Sequence, residues 1–128
     1  MRDVYVEKFS ALLDDVAGPM HPMVRTYMSA LLADHIDKTN FFADPVALRY
    51  MALDNSIRAK ELGDNCLVIA GMFSGYRGMS DDYYVQIGSG SYYVAANATG
   101  SEVFQTLARD FEELKLVLNS IRPTQYLP

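Results

Sequence analysis

Asp64 is the polar residue of this chain whose setting comes closest to chemistry. It stands in "LGDNCLVIAGMF", seven residues after Ile57 and four before Val68, on the face that carries Val46, Tyr50 and Leu53. On a continuous helix that carboxylate is partly buried, and a buried carboxylate must be paired or hydrogen-bonded. Its candidate partners are Arg77, a tyrosine such as Tyr84 or Tyr92, or a histidine. Asp64, Arg77, Tyr84 and Tyr92 therefore form the candidate ligand-binding set. A hydrogen bond that orders the core is the plainer role for Asp64; binding or catalysis is the sharper one.

The other reactive residue types are not set up for catalysis. His21 and His35 are the only histidines. One helix would hold them about 21 Å apart at 1.5 Å per residue, too far to share a metal within a subunit. Cys66 is the single cysteine, which excludes an internal disulfide and a cysteine-based zinc site. It lies in the longest apolar run, Cys66 to Phe73, as a small buried hydrophobe with no visible activating partner. The serines lie in no nucleophile elbow. Asp14-Asp15 and Asp81-Asp82 suit a solvated helix end and a helix start. No catalytic residue, metal site or cofactor is expected.

"YYVQIGSGSY", residues 83 to 92, has glycines that could cradle a phosphate. The context argues otherwise: no buried strand precedes them, no third glycine follows, and no lysine comes after. As a strand pair, the aromatic and β-branched residues would flank a Ser-Gly turn. As a helix, Tyr83, Ile87, Val94 and Ala98 make one stripe, with Gln86, Ser89 and Asn97 opposite. Gly88 and Gly90 would each cost that helix roughly 1 kcal/mol relative to alanine. Gly88, Ser91 and Ala95 share the small-residue spacing of Gly63, Cys66 and Ala70. Two such faces can bring backbones close, and packing then offsets the penalty. Gly90 points away from the small face. The helix is the expected reading.

The elements around these residues carry helical spacing throughout. Tyr5, Phe9, Leu12 and Val16 form one face, ended by Gly18-Pro19. Pro22 opens a second helix with Val24, Tyr27, Met28, Leu31 and Leu32 inward. Asp44-Pro45 opens a third, with Val46, Tyr50, Leu53 and Ile57 on one face. Beyond residue 61 the stripe moves to Leu62, Cys66, Ile69 and Phe73, nearly opposite. Either the chain breaks near Gly63 or one long helix changes partners. The apolar run from Cys66 marks the fully surrounded helix. At the end, Phe104, Leu107, Phe111, Leu114, Leu118 and Ile121 alternate steps of three and four without a break, with Glu112, Glu113 and Lys115 opposite. Thr99 and Glu102 have capping-box spacing before it, and Pro123 stops it.

Three motifs together resemble a family of small uncharacterised bacterial proteins: "LGDNCLVIAGMF", "YYVQIGSGSYYVAA" and "VFQTLARDFEELKLVLNSI", within roughly residues 58 to 121. That family's pattern is a Leu-Gly-Asp helix with an Ala-Gly-x-Phe end, a Tyr-x-x-x-Gly helix and a closing amphipathic helix. Its members are more basic where this chain has "SGYRGMSDD". The resemblance implies an all-helical domain and brings no established activity.

The chain's 128 residues suit one domain with a real core. Half are hydrophobic and 21% charged, as in ordinary globular proteins. The apolar run falls far short of the roughly 20 residues of a membrane helix. The N-terminus puts acids where a signal peptide has its apolar core. A cytoplasmic location follows as the expectation. The net charge of −5, with scattered basic residues, argues against nucleic acid or anionic lipid as partner.

The sequence thus predicts an all-α fold, a single compact bundle of five or six helices over residues 1–128 with an irregular tail from 123. Its expected function is a non-enzymatic interaction module acting as a homodimer. Nine tyrosines and seven methionines supply adaptable contact surface for that role. The alternative is a small-molecule binder or enzyme with a pocket around Asp64.

Overall fold

The structure is a computed structural model that describes residues 7–11, 13, 22–35, 56–73 and 80–121. The described residues form six helical segments and no strand. A short first segment covers residues 7–11 and 13 and buries Phe9 and Leu13. It is followed by α1 (Pro22–His35), α2 (Ser56–Met72), α3 (Asp81–Thr99), α4 (Glu102–Arg109) and α5 (Phe111–Ile121).

α1 begins at the proline expected to open it and buries Val24, Met28, Leu31 and Leu32, with Tyr27 half-buried. α2 runs unbroken through Gly63, so the chain does not break there. Every residue from Leu62 to Met72 is buried, which makes it the surrounded helix that its apolar run predicts. Ile57 departs from expectation: it is 75% exposed. Ala59, two residues later in the same turn, is fully buried, so Ile57 is exposed because it lies on the outward side of that turn. Val46, Tyr50 and Leu53, which share its stripe in the sequence, lie outside the described residues.

Residues 83 to 96 are helix, within α3. Ser80 caps its start by accepting a bond from the Tyr83 amide at 3.3 Å, with Asp81 and Asp82 in the first turn. Glycine in mid-helix is explained by contact. A Cβ on Gly88 would collide with the Phe111 ring and lie 2.7 Å from Cys66 Cβ. A Cβ on Gly63 would lie 2.7 Å from the Tyr92 ring. Gly63 thus opposes Tyr92 while Cys66 opposes Gly88, so α2 and α3 run antiparallel. The close approach expected of the small faces holds at Gly88 and Cys66, but at Gly63 an aromatic ring fills the space.

Gly100 adopts the left-handed conformation (φ 70°) that closes α3, its amide bonded to the Ala96 carbonyl. Ser101 then caps α4 through the Phe104 amide. The cap is therefore Ser101 and not Thr99. Thr99 still belongs to α3, where its hydroxyl donates to the Ala95 carbonyl. The C-terminal stripe is also interrupted: at Asp110 the backbone leaves helical geometry (φ −101°, ψ 17°) and separates α4 from α5. Hydrogen bonds still bridge the break, from the Asp110 amide to Thr106 and from the Leu114 amide to Asp110. The side chains keep their register, and Leu107, Phe111, Leu114 and Leu118 are all buried.

Lys115 is not on the solvated side, being only 9% exposed. It lies one turn after Phe111 and shares that flank of α5, where its methylene stem can cover apolar surface. α4 packs on α3, with Ser89 donating to the Ala108 carbonyl at 2.8 Å. α5 packs on α2, where a Cβ on Gly71 would lie 2.5 Å from Leu118. The core lies between these layers, and α1 closes it over α2 and α4.

Candidate functional site

Asp64 lies in mid-α2 and is 5% exposed. Because α2 is continuous, it points toward the junction of three helices. Its Oδ1 accepts from the Tyr27 phenol of α1 at 2.5 Å and from the Tyr92 phenol of α3 at 2.7 Å. Its Oδ2 accepts from Lys60 Nζ, one turn earlier on α2, at 2.7 Å. Lys60 remains 46% exposed, and its ammonium also stands 5.4 Å from the centre of the Tyr27 ring. A carboxylate offers about four acceptor positions, and the protein itself fills three.

Aromatic packing fixes the two phenols. Tyr92, wholly buried, stacks on Phe104 of α4 with ring centres 6.1 Å apart and planes 16° from parallel. It also leans on Phe111 at 5.8 Å. Tyr27 meets the same Phe104 edge-on at 5.9 Å. Gly63 lies against the Tyr92 ring, so the ring is held between α2 and the α4–α5 layer. Burial first, and then the Asp64 charge, push both phenols far above their ordinary range. They remain protonated donors. Chemically the arrangement among the described residues is a hydrogen-bond network within the chain: the carboxylate accepts three bonds, and both phenols donate to it.

Of the expected site residues, Asp64 and Tyr92 come together. Tyr84 is buried on α3, eight residues before Tyr92, and so about 12 Å along the helix from it. It makes an edge contact with Tyr83. It belongs to the core and not to the Asp64 cluster, because antiparallel packing places Tyr92 opposite residue 63. Arg77 and His21 lie outside the described residues. Tyr27 and Lys60 were not foreseen. Lys60 carried a usable signal, since residues four apart on a helix are neighbours. Tyr27 gave only its place on the inward stripe of α1.

Cys66 is buried, and burial pushes its thiol well above the usual range, which removes the thiolate that a nucleophile needs. A groove of about 300 Å³ runs between α1 and α4, lined by Met23, Val24, Val103, Thr106 and Arg109 among others; Asp64 is not part of its wall. Arg109 is engaged with the neighbouring Asp110 through two bonds of 3.0 and 3.1 Å. Those bonds hold the Asp110 carboxyl below its usual range. Among the described residues no helix is long and apolar enough to cross a membrane. No family model matches the chain, and no curated protein or solved structure matches it significantly.

Proposed function

We propose that this chain is a non-enzymatic helical interaction module that works as a homodimer, in the cytoplasm of a bacterium. The observation that carries this reading is the occupation of Asp64. Among the described residues the buried carboxylate, Asp64, is bound by two phenols and an ammonium of its own chain. A substrate that displaced either phenol would leave a buried donor unpaired, at a cost of about 1–3 kcal/mol. The network instead ties α1, α2 and α3 into one rigid body. A rigid body with side chains such as Tyr93, Val94 and Leu116 exposed presents contact surface. Membership of the small all-helical bacterial family rests on the order and spacing of its three motifs and belongs to the same proposal.

The test is the mass in solution. Light scattering over a hundredfold dilution from the micromolar range should report about twice 14.3 kDa at the concentrated end. A chain that remains monomeric throughout overturns the homodimer. A small molecule that binds wild type and loses its affinity in Asp64→Asn would overturn the non-enzymatic reading in favour of a ligand site at Asp64.

A further inference from the structure

The outward side of α3 is unusual in a chain that is 21% charged and carries a net charge of −5. From Tyr83 to Ser101 there is no Asp, Glu, Lys, Arg or His, although this helix exposes Gln86, Tyr93, Val94 and Asn97. A helix face turned to water and carrying its own solubility is ordinarily charged. Two copies of an acidic chain repel one another over most of their surface. Along this stretch α3 itself sets no charge against another, and the exposed Arg109 of α4, which interacts electrostatically with Tyr93, stands at its edge paired with Asp110.

The stripe is also its own complement. Gln86, Gly90, Tyr93 and Asn97 follow one another at steps of four, three and four, which places them on one line along the helix. Read in reverse, the steps are the same. If two α3 helices meet antiparallel about a two-fold axis between residues 91 and 92, Gln86 of one faces Asn97 of the other. In the same register Tyr93 faces the half-exposed Gly90. An amide opposite an amide can both donate and accept. A phenol ring 49% exposed in the single chain finds at Gly90 a position with no side chain to hold it off. Each pairing occurs twice, as an isologous contact requires.

We propose that the homodimer forms through this face, α3 against α3 in antiparallel register, with Gln86–Asn97 amide pairs flanking two Tyr93–Gly90 contacts. The proposal rests on the homodimer reading above and names its interface. The occupant is a second copy because the α3 stripe carries no charge of its own and pairs with itself in this register.

Substitutions at the two amide positions test the register. In Gln86→Glu/Asn97→Lys each glutamate faces a lysine of the other copy, and the dimer should persist. In Gln86→Lys/Asn97→Lys lysine faces lysine, and the dimer should dissociate. With two pairs per interface, the dissociation constants of the two variants should differ by about tenfold or more at low salt. Both positions are exposed, so helix content and the melting of dilute samples should match wild type. Should either double variant fail to fold, mixing Gln86→Lys chains with Asn97→Glu chains asks the same question through a heterodimer. Equal dimerisation of the two double variants would place the interface elsewhere and leave the homodimer standing. A monomeric wild type would remove the homodimer itself, and this interface with it.

Discussion

Around Asp64 the cost of each substitution should follow how deeply its partner is buried. Tyr92 is wholly buried, and losing its hydroxyl removes a bond to a charged acceptor, about 1.5–3 kcal/mol. Lys60 is half-exposed, so Lys60→Gln should cost less than about 1 kcal/mol. Asp64→Ala leaves two phenols without an acceptor and should cost most, about 3–5 kcal/mol. Urea titrations of the three variants give the order; a Lys60→Gln loss equal to that of Tyr92→Phe would mean that charge and not burial holds the network. The raised phenols also set a pH dependence. Unfolded tyrosines lose their protons near pH 10, whereas Tyr27 and Tyr92 retain theirs when folded. Above about pH 10 the unfolded chain therefore binds fewer protons than the folded one. Stability is complete below that pH and falls as pH rises through it, by up to about 1.4 kcal/mol per pH unit for each phenol. Urea midpoints should decline from there, less steeply in Tyr92→Phe. Phenolate absorbance from all nine tyrosines in a still-folded chain would contradict this. The sequence made Asp64 and Tyr92 legible because both lie on inward helix faces. It could not choose Tyr92 over Tyr84, since the two share one side of α3 and only the register against α2 separates them. Tyr27, 37 residues from Asp64, was hidden for the same reason: three-dimensional packing chose it.

At the scale of elements, the glycines of α3 divide by mechanism. Gly88→Ala should gain up to about 1 kcal/mol in helix propensity, but its new methyl meets Cys66 Cβ and the Phe111 ring. Cβ atoms lie close to the backbone and cannot swing aside, so overpacking should prevail, with a net loss of about 1–3 kcal/mol and more for Gly88→Leu. Gly100→Ala meets nothing within 4 Å and should cost only its left-handed backbone, about 1–2 kcal/mol. A Gly88→Leu variant that melts with wild type would remove close packing of α2 on α3 as the reason for glycine there. Helix identity along this stretch was readable from periodicity and matched small faces. The boundaries were less so. Thr99 and Ser101 are both good caps, and the choice fell to Ser101 because Gly100 turns left-handed between them. The break at Asp110 left no mark in the pattern, since an apolar stripe with steps of three and four continues across it.

At the scale of the whole molecule, the all-helical character was legible because apolar periodicity repeats in every segment described. The arrangement of those helices was not, because amphipathic stripes say which face is buried and not against what. One consequence of the arrangement concerns Cys66. It is 0% exposed, in a helix buried on all sides from Leu62 to Met72, with the α3 backbone brought against it at Gly88. Fraying of a terminus or opening of one loop does not reach such a site; α2 must lose its neighbours together. A thiol reagent should therefore label Cys66 only through global unfolding. With reclosing fast relative to labelling, the rate relative to the denatured chain should give the same free energy as urea unfolding, and both should shift together in Tyr92→Phe. A labelling free energy well below the urea value would reveal a partial opening between α2 and α3. The bundle would then divide along that seam instead of unfolding as one unit.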